Sequence, residues 1–431
     1  VKNYALTLRA DSPLTIRADH APGGAASAQY IPGTALAGSL AAAYRLFYPD
    51  NNSGFEDLFL NELIWFPDLY PASFKKSEEF QNATASPVYP LPKTAQSCKR
   101  FPGFHPTQYE TDVTEPRHGV RDSLLDWATF ALADQTASST DLLLKPLEAH
   151  KNCPVCGKLK LDRPMDNLTG YYRRLGPGGP MLKARVDTRL QTHNGINRIT
   201  GTVQEGILYN REVIEEDACF WGLLKLSDEL AQPFEAFIDR VANAEAGWLR
   251  IGTGRTRGLG KVDLSISSPE GLADRDDFRK RLEGFDTKLR EKAQSFNLST
   301  SPFYFALTLH SPVILSDGWH GYYTSINANT ILQNDTLESR LGLAAKSLKL
   351  LCQFSGTRRV RGWNELWGTP RTNELAIDTG SVFLFTCNQS LDDTLTDALY
   401  RLEEEGIGRR KAEGFGRICI SDQFHQEVTL Q

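Results

Sequence analysis

Two stretches of this sequence combine residues suited to gripping a polyanion. Ile251 to Leu264, IGTGRTRGLGKVDL, sets Gly252, Gly254, Gly258 and Gly260 around Arg255 and Arg257. Glu405 to Ile420, EGIGRRKAEGFGRICI, sets Gly406, Gly408, Gly414 and Gly416 around Arg409, Arg410, Lys411 and Arg417. Glycine tolerates positive φ and close backbone approach, and the planar guanidinium donates in a fork that fits phosphate. Each stretch follows a helical pattern (Gln232 to Ala244, Leu391 to Glu404) and precedes a strand pattern. Dinucleotide and P-loop sites run in the opposite order, strand, glycines, helix, and neither stretch ends in the Gly-Lys-Ser/Thr of a P-loop. The order disfavours mononucleotide binding, and the paired occurrence favours a polyanion over a solvated turn.

A second chemistry is metal ligation. Cys153-Pro-Val-Cys156-Gly157 is half of a zinc site, two thiolates two residues apart with a glycine to ease the chain around the ion. Cys98 in SCKRF and His118 in RHGVRD complete a Cys3His set, with His105 the rival fourth ligand and His150 a weaker one. No thioredoxin-like pattern surrounds the CxxC, which argues against a redox pair. Four protein ligands leave no place for water, so the expected zinc is structural. Cys219, Cys352, Cys387 and Cys419 stand singly in apolar surroundings and read as buried free thiols.

The elements that must position these residues repeat. Tyr4 to Ile16 alternates as a strand and leads through a small-residue loop to YIPGTALAGSLAAAYRLF, where Pro32 starts a helix, Thr34 caps it, and Leu36, Leu40, Ala43 and Phe47 share a face. Phe303 to Leu315 repeats the ALTL of Ala5 to Leu8 and the Ser-Pro of Ser12 and Pro13, as Ser311 and Pro312. Two related α+β domains follow, each a sheet with helices on one face. Between them, Phe278, Leu282, Phe285 and Leu289 mark a connecting helix whose charges read as a solvated face. The first half carries an excess between about Tyr89 and Pro180, after which Thr202 to Tyr209, a turn near Asn210 and Cys219 to Leu226 read as a hairpin leading into a buried strand. Lys183, Arg185, Arg189 and Arg198 extend a basic track beside it.

Composition narrows the class. At 431 residues and a formal charge of −5, any nucleic-acid surface must be a local patch. No apolar run reaches spanning length and VKNYALTLRADSPL reads as a strand and not as a signal sequence, so a cytoplasmic protein without a membrane partner is expected.

With these residues in view, the chain resembles the RAMP proteins of type III CRISPR effector complexes, most closely the subtype III-D member with a zinc-binding insertion. The likeness rests on YIPGTALAGSL, SCKRF with HGVRD and CPVCG, NRITGTVQEGILYNREVI, GTGRTRGLGKV, RVRGWNELWGTPR with AIDTGSVFLF, and GIGRRKAEGFGRI. It implies two ferredoxin-like (RRM-like) domains, 1–268 and 301–431, joined by a helical connector at 269–300; the first carries a zinc module at about 90–180 and a thumb-like hairpin within 181–225, around Arg198 to Val213. It also implies CRISPR guide RNA as ligand, target RNA, other RAMP subunits and the large polymerase-like subunit as partners, and the glycine loops as backbone cradle. Arg358, Arg359 and Arg361 beside Trp363 and Trp367 form a further basic and aromatic cluster for the repeat-derived 5′ handle, core packing being the plainer role for the tryptophans. Backbone subunits of such complexes cut target RNA with an aspartate in the loop after the first strand. Asp19 is the matching residue, with Mg2+ if it is catalytic and His20 as the acid or base of metal-free chemistry. The expected function is a non-catalytic guide-RNA-binding subunit, with target cleavage by Asp19 the alternative.

Overall fold

Alternation in the repeated ALTL tetrad sends the same residues to the same side of two sheets. Leu6 and Leu8 enter one buried cluster and Leu307 and Leu309 another, while Ala5 and Ala306 enter clusters on the opposite faces. The computed structural model describes residues 1–17, 26–72, 87–107, 116–135, 151–175, 179–197, 199–244, 249–269, 274–319, 321–332, 348–364 and 368–428. It is a mixed α/β chain in two compact units: Val1–Tyr89, Tyr171–Glu270 and Lys411–Gly414 form one, and Pro90–Gly170, Gly271–Arg410 and Phe415–Gln431 the other.

In the first unit, strands β1 (Lys2–Ala10), β2 (Ile64–Trp65), β3 (Cys219–Leu226) and β4 (Val262–Ser267) lie in the order β4-β1-β3-β2. Helices α1 (Gly33–Phe47) and α2 (Ala231–Ala242) cover one face through Leu36, Leu40, Ala43, Tyr44, Phe234, Phe237 and Ile238. Pro32, not Thr34, occupies the cap of α1; it offers no side-chain bond, and the open N–H of Gly33 donates instead to Asp68 Oδ1 at 2.8 Å. A β-carbon at Gly33 would stand 2.6 Å from Phe66 O and 2.7 Å from Glu413 O, so only glycine fits there.

The second unit uses α3 (Arg275–Ser295), β5 (Phe303–Leu309), β6 (Leu348–Phe354), β7 (Val382–Cys387), α4 (Asp393–Glu405) and β8 (Ile418–Ile420), with sheet order β6-β7-β5-β8. Numbered within each unit the two orders are the same. The expectation of helices on one face fails here. Leu395, Leu399 and Leu402 of α4 cover one face with Phe278 and Leu282 of α3, while Phe285, Leu289 and Ala293 of α3 join the helix Leu124–Gln135 over Tyr304, Ala306, Val382 and Leu384. Every residue of β5 is buried as a result.

Two expectations from chain order change with this packing. Residues 90–170, expected as part of the first domain, count with the second unit, because Leu124, Ala128, Leu132 and Ala133 find their apolar partners on its sheet. The connector helix is likewise a core element of that unit, and its charges are not all solvated: Arg281 donates to both oxygens of Glu403 at 2.6 Å, with side chains only 10% and 20% exposed. The hairpin also differs. Thr188–Ile196 pairs with Val203–Ile214, Asn210 lies mid-strand opposite Thr192, and the turn closes where Asn197 N donates to Thr202 O. Cross-strand pairing overrides the turn preference of Asn210. Strand β3 pairs with β1 and not with this hairpin. Cys219 and Cys352 are half-buried, while Cys387 and Cys419 are buried, all as free thiols. Among the described residues no helix is long and apolar enough to cross a membrane.

The C-terminal segment anchors the Pro90–Gly170 portion. Buried His425 joins Asp122 Oδ2 through Nδ1 at 2.9 Å and Thr308 Oγ1 through Nε2 at 2.8 Å, between the rings of Phe285 and Phe424. Burial works to lower its pKa, but the Asp122 carboxylate, with help from Asp422, outweighs burial and raises it. Asp422, held by His310 at 2.8 Å, stays charged far below the usual carboxylate range. A histidine raised in the folded state contributes fully below its unfolded pKa of about 6.5 and loses that contribution as pH rises through the raised value. Denaturant titrations should therefore show wild-type stability falling through that window, while His425→Gln is flat there and about 3–5 kcal/mol less stable at the acidic end. The same slope in both proteins would refute this.

Candidate nucleic-acid interface and metal centre

Both glycine loops are built as the same clasp onto the Ser-Pro turn that ends the first strand of their unit. Ile251 N donates to Gly260 O at 2.8 Å, and Ile407 N to Gly416 O at 2.9 Å. Gly260 N donates to Pro13 O, and Gly416 N to Pro312 O, both at 2.9 Å. Thr253 N reaches Thr15 O at 2.9 Å as Arg409 N reaches Ile314 O at 3.0 Å. Lys261 N reaches Ser12 Oγ at 2.8 Å as Arg417 N reaches Ser311 Oγ at 2.9 Å.

This clasp accounts for four of the eight glycines. A β-carbon at Gly252 would lie 2.4 Å from Thr15 O, at Gly408 2.5 Å from Ile314 O, at Gly260 2.4 Å from Ile251 O and at Gly406 2.4 Å from Gly416 O. At Gly414 it would meet Asp68 Oδ1 at 3.0 Å and Phe66 O at 3.1 Å. These residues answer to neighbouring protein backbone and side chain before any ligand. At the tip of the first loop, Gly254 and Gly258, both left-handed, frame a single turn Arg255–Arg257 whose residues are all exposed.

That tip meets the hairpin within the first unit. Arg257 Nη1 donates to Tyr209 Oη at 2.9 Å, and the Tyr209 ring stacks on His193, its cross-strand partner, with centroids 5.2 Å apart and planes at 20°. Arg211 brings Nη1 to the α-carbon side of Gly254, 2.8 Å from where a β-carbon would stand. Arg250 donates to the carbonyls of Arg255 at 3.0 Å and Leu259 at 3.4 Å, bracing the tip from beneath. Sequence reasoning missed Tyr209, His193, Arg211 and Arg250. The signal for the stacked pair is the hairpin register, which a turn placed near Asn210 conceals. Lys183 and Arg185 are exposed on the approach to this hairpin; Arg189 pairs with Glu216 at 2.9 Å; Arg198 lies outside the described residues.

In the second unit the arginines divide. Arg409 is exposed and donates to Ser316 Oγ at 3.1 Å. Arg410 is half-buried, paired with Glu374 and set over the Phe415 ring at 5.0 Å. Arg358 faces inward, 3.9 Å from Asp378, while Arg359 and Arg361 are exposed. The side chain of Trp363 and all of Trp367 lie outside the described residues, as do Asp19 and His20.

Cys98, His118, Cys153 and Cys156 come together, all buried, with ligand atoms within 4.8 Å of one another. Cys98 closes the strand Ala95–Cys98, and the short helix Pro154–Lys158 turns both remaining thiols inward. Cys98 Sγ is 3.8 Å from Cys156 Sγ, and His118 Nδ1 is 3.4 Å from both Cys153 Sγ and Cys156 Sγ. A tetrahedral ion with metal–sulfur bonds of about 2.3 Å and a metal–nitrogen bond of about 2.0 Å spaces sulfurs about 3.8 Å apart and sulfur from nitrogen about 3.5 Å. The cluster has the dimensions to hold a metal such as zinc. Burial works to raise Cys98, but N–H groups of Phe101 and Arg100 outweigh it and lower it; burial and the neighbouring Cys98 and Cys153 push Cys156 up to about 12. Burial lowers His118, favouring the neutral, ligating imidazole. His105 is exposed against Gly119 and is not among the four. A second group, His310, Cys419 and Asp422, offers only three donors, with the His310–Asp422 hydrogen bond inside it and the charge of Arg281 acting on Cys419.

The model of the RAMP superfamily matches residues 7–263. No curated protein matches the sequence. Among solved structures, a chain of the type III-B Cmr-beta complex bound to cognate target RNA and AMPPnP is 12% identical, with 88% of this chain and 86% of that chain covered and a TM-score of 0.37. A chain of the same complex bound to cognate target RNA is 10% identical, with 96% of each chain covered and a TM-score of 0.36. Cas6 of Thermus thermophilus is 14% identical over 47% of this chain and 74% of its own, at a TM-score of 0.25. These scores are too low to carry an argument, and the family assignment rests on the sequence match.

Replacing Gly252 by alanine meets both left-handed backbone (φ +85°) and the Thr15 carbonyl, whereas Gly258 (φ +83°) has open space around it. Gly258→Ala should cost the conformational strain alone, about 1–2 kcal/mol, and Gly252→Ala clearly more. Equal losses in urea denaturation would show that the clasp does not dictate this glycine.

Proposed function

The chain belongs to the RAMP superfamily, and from that premise we propose that it is a non-catalytic CRISPR guide-RNA-binding subunit of a cytoplasmic type III-D effector complex. The observation that carries this reading is the exposed Arg255–Arg257 tip beside the stacked His193 and Tyr209. Guanidinium groups grip phosphate without regard to base, which suits a guide whose spacer varies. The aromatic pair adds a face on which any base can stack. The neighbours on this reading are other RAMP subunits, the large polymerase-like subunit and target RNA paired to the guide.

Each unit is, on the same reading, a ferredoxin-like (RRM-like) domain, supported by the shared sheet order and by a helix before the second and fourth strands of the first unit. The sheet faces are closed to bases, however: in the second unit both faces are packed, and in the first Trp221, Tyr70 and Val88 bury the face away from the helices. RNA contact therefore belongs to loops and to the hairpin.

The Cys3His cluster holds structural Zn2+ on this reading, since three thiolates and an imidazole suit that ion and leave no open position. Zinc lets all three sulfurs be thiolates together, while the chain's own residues fix the strand Ala95–Cys98 against Val120–Asp122.

Fluorescence anisotropy with labelled single-stranded RNA tests the binding role. Affinity should fall as salt rises, and replacing Arg255 and Arg257 by glutamine should weaken binding and flatten the slope of log K against log salt by about 0.7 for each phosphate no longer neutralised. RNA affinity indifferent to salt, or none at all, would sink the reading. Elemental analysis should find one zinc per chain, and Cys156→Ser should lose it along with a lower melting temperature; a zinc-free chain that melts normally would exclude the ion.

A further inference from the structure

We infer that Trp319 is a nucleobase-stacking residue, presenting its indole to a single-stranded RNA whose phosphate is held by Arg409. The inference rests on the RNA-binding role proposed above and adds a second contact point in the other unit.

Trp319 is 94% exposed, the most exposed tryptophan among the described residues. An apolar side chain of that size in water is ordinary on a loose loop, but here the described residues on either side of the indole are hydrogen-bonded. Asp317 Oδ1 accepts from Trp319 N at 2.9 Å and from Gly321 N at 2.7 Å, and Asp317 N donates to Gly321 O at 2.9 Å. Ser316 bridges to Tyr322, and Tyr323 N reaches Leu315 O at 3.0 Å. The backbone N–H of Trp319 is thus already held by Asp317 before any ligand arrives, which lowers the entropic cost of stacking.

The neighbouring charge points to the occupant. Arg409 is tied to the same turn twice, through its N–H to Ile314 O at 3.0 Å and through Nη1 to Ser316 Oγ at 3.1 Å. Its guanidinium has five donors, and the bond to Ser316 engages one nitrogen. An exposed aromatic side chain three positions along the chain from the serine that holds an exposed cation suits a nucleotide, base on one group and phosphate on the other. The first unit also sets an arginine against an aromatic at its own clasp, where Arg257 donates to Tyr209, which stacks on His193. Arg409 occupies in the second clasp the position of Thr253 in the first, since each donates its N–H to the residue two past the Ser-Pro proline. Two clasps of common construction have each acquired an aromatic group and an arginine from different parts of the chain.

The test uses the full chain and a labelled single-stranded RNA, with binding followed by anisotropy across a salt series. Trp319→Ala should weaken binding roughly five- to 150-fold, the range expected when one base stack is removed, with the salt slope unchanged because stacking releases no counterions. Trp319→Phe should recover most of the affinity, and Arg409→Gln should reduce the slope by about 0.7. Melting temperatures of the Trp319 variants should equal the wild type, because the indole is almost wholly exposed. If the wild type binds RNA and Trp319→Ala binds as well, or loses affinity only in step with its melting temperature, Trp319 does not stack and the inference is overturned while the RNA-binding role stands. If the wild type binds no RNA, that role fails and takes the inference with it.

Discussion

A short set of backbone hydrogen bonds, made twice, governs this molecule. In each unit the glycine-rich loop closes on the turn that ends the first strand, and the closure is tight enough that a single methyl group at Gly252 or Gly408 would strike a carbonyl. The fourth strand of the sheet begins where the clasp ends, so the path of β4 and β8 beside β1 and β5 depends on it. Once the loop is pinned at both ends, only its tip can vary. In the first unit the tip offers Arg255 and Arg257, and in the second the equivalent stretch turns Arg410 inward onto Glu374.

Covering both faces of a sheet closes it to ligands. An open sheet face with aromatic residues is one way for such a domain to hold bases, and here those positions are filled by Tyr304, Ala306 and Leu384 under a helix, or by Trp221 under Tyr70 and Val88. Exposed among the described residues are parts of the hairpin, the tip Arg255–Arg257 and Trp319 in the turn at Asp317. The hairpin is exposed and apolar at Leu190, Ile199 and Leu208.

How much of this was legible from the residues depends on whether the cause is local. The duplicated ALTL and Ser-Pro steps announce two matching sheets because strand alternation is a local property, and CPVCG announces a metal half-site because two ligands fit one turn of chain. Cys98 and His118 were legible by their chemistry alone. The reason for the glycines was not, since Gly252 is dictated by Thr15, more than two hundred positions earlier. Nor was the allegiance of the helix Leu124–Gln135, whose apolar face says only that it must be buried, not on which sheet. The pairing of His193 with Tyr209 hangs on register, and Asn210 misdirects because a residue fond of turns sits in mid-strand under cross-strand bonding.

The interleaved membership of the two units bears on how the chain is made. Emerging amino end first, it exposes the apolar stripe of Leu124, Ala128 and Leu132 well before Tyr304 and Val382, the residues that will shelter it, have been synthesised. The first unit likewise draws on Lys411–Gly414, far along the chain from its other residues. A cut of the chain between its two sheets would therefore separate this helix from the residues that bury it.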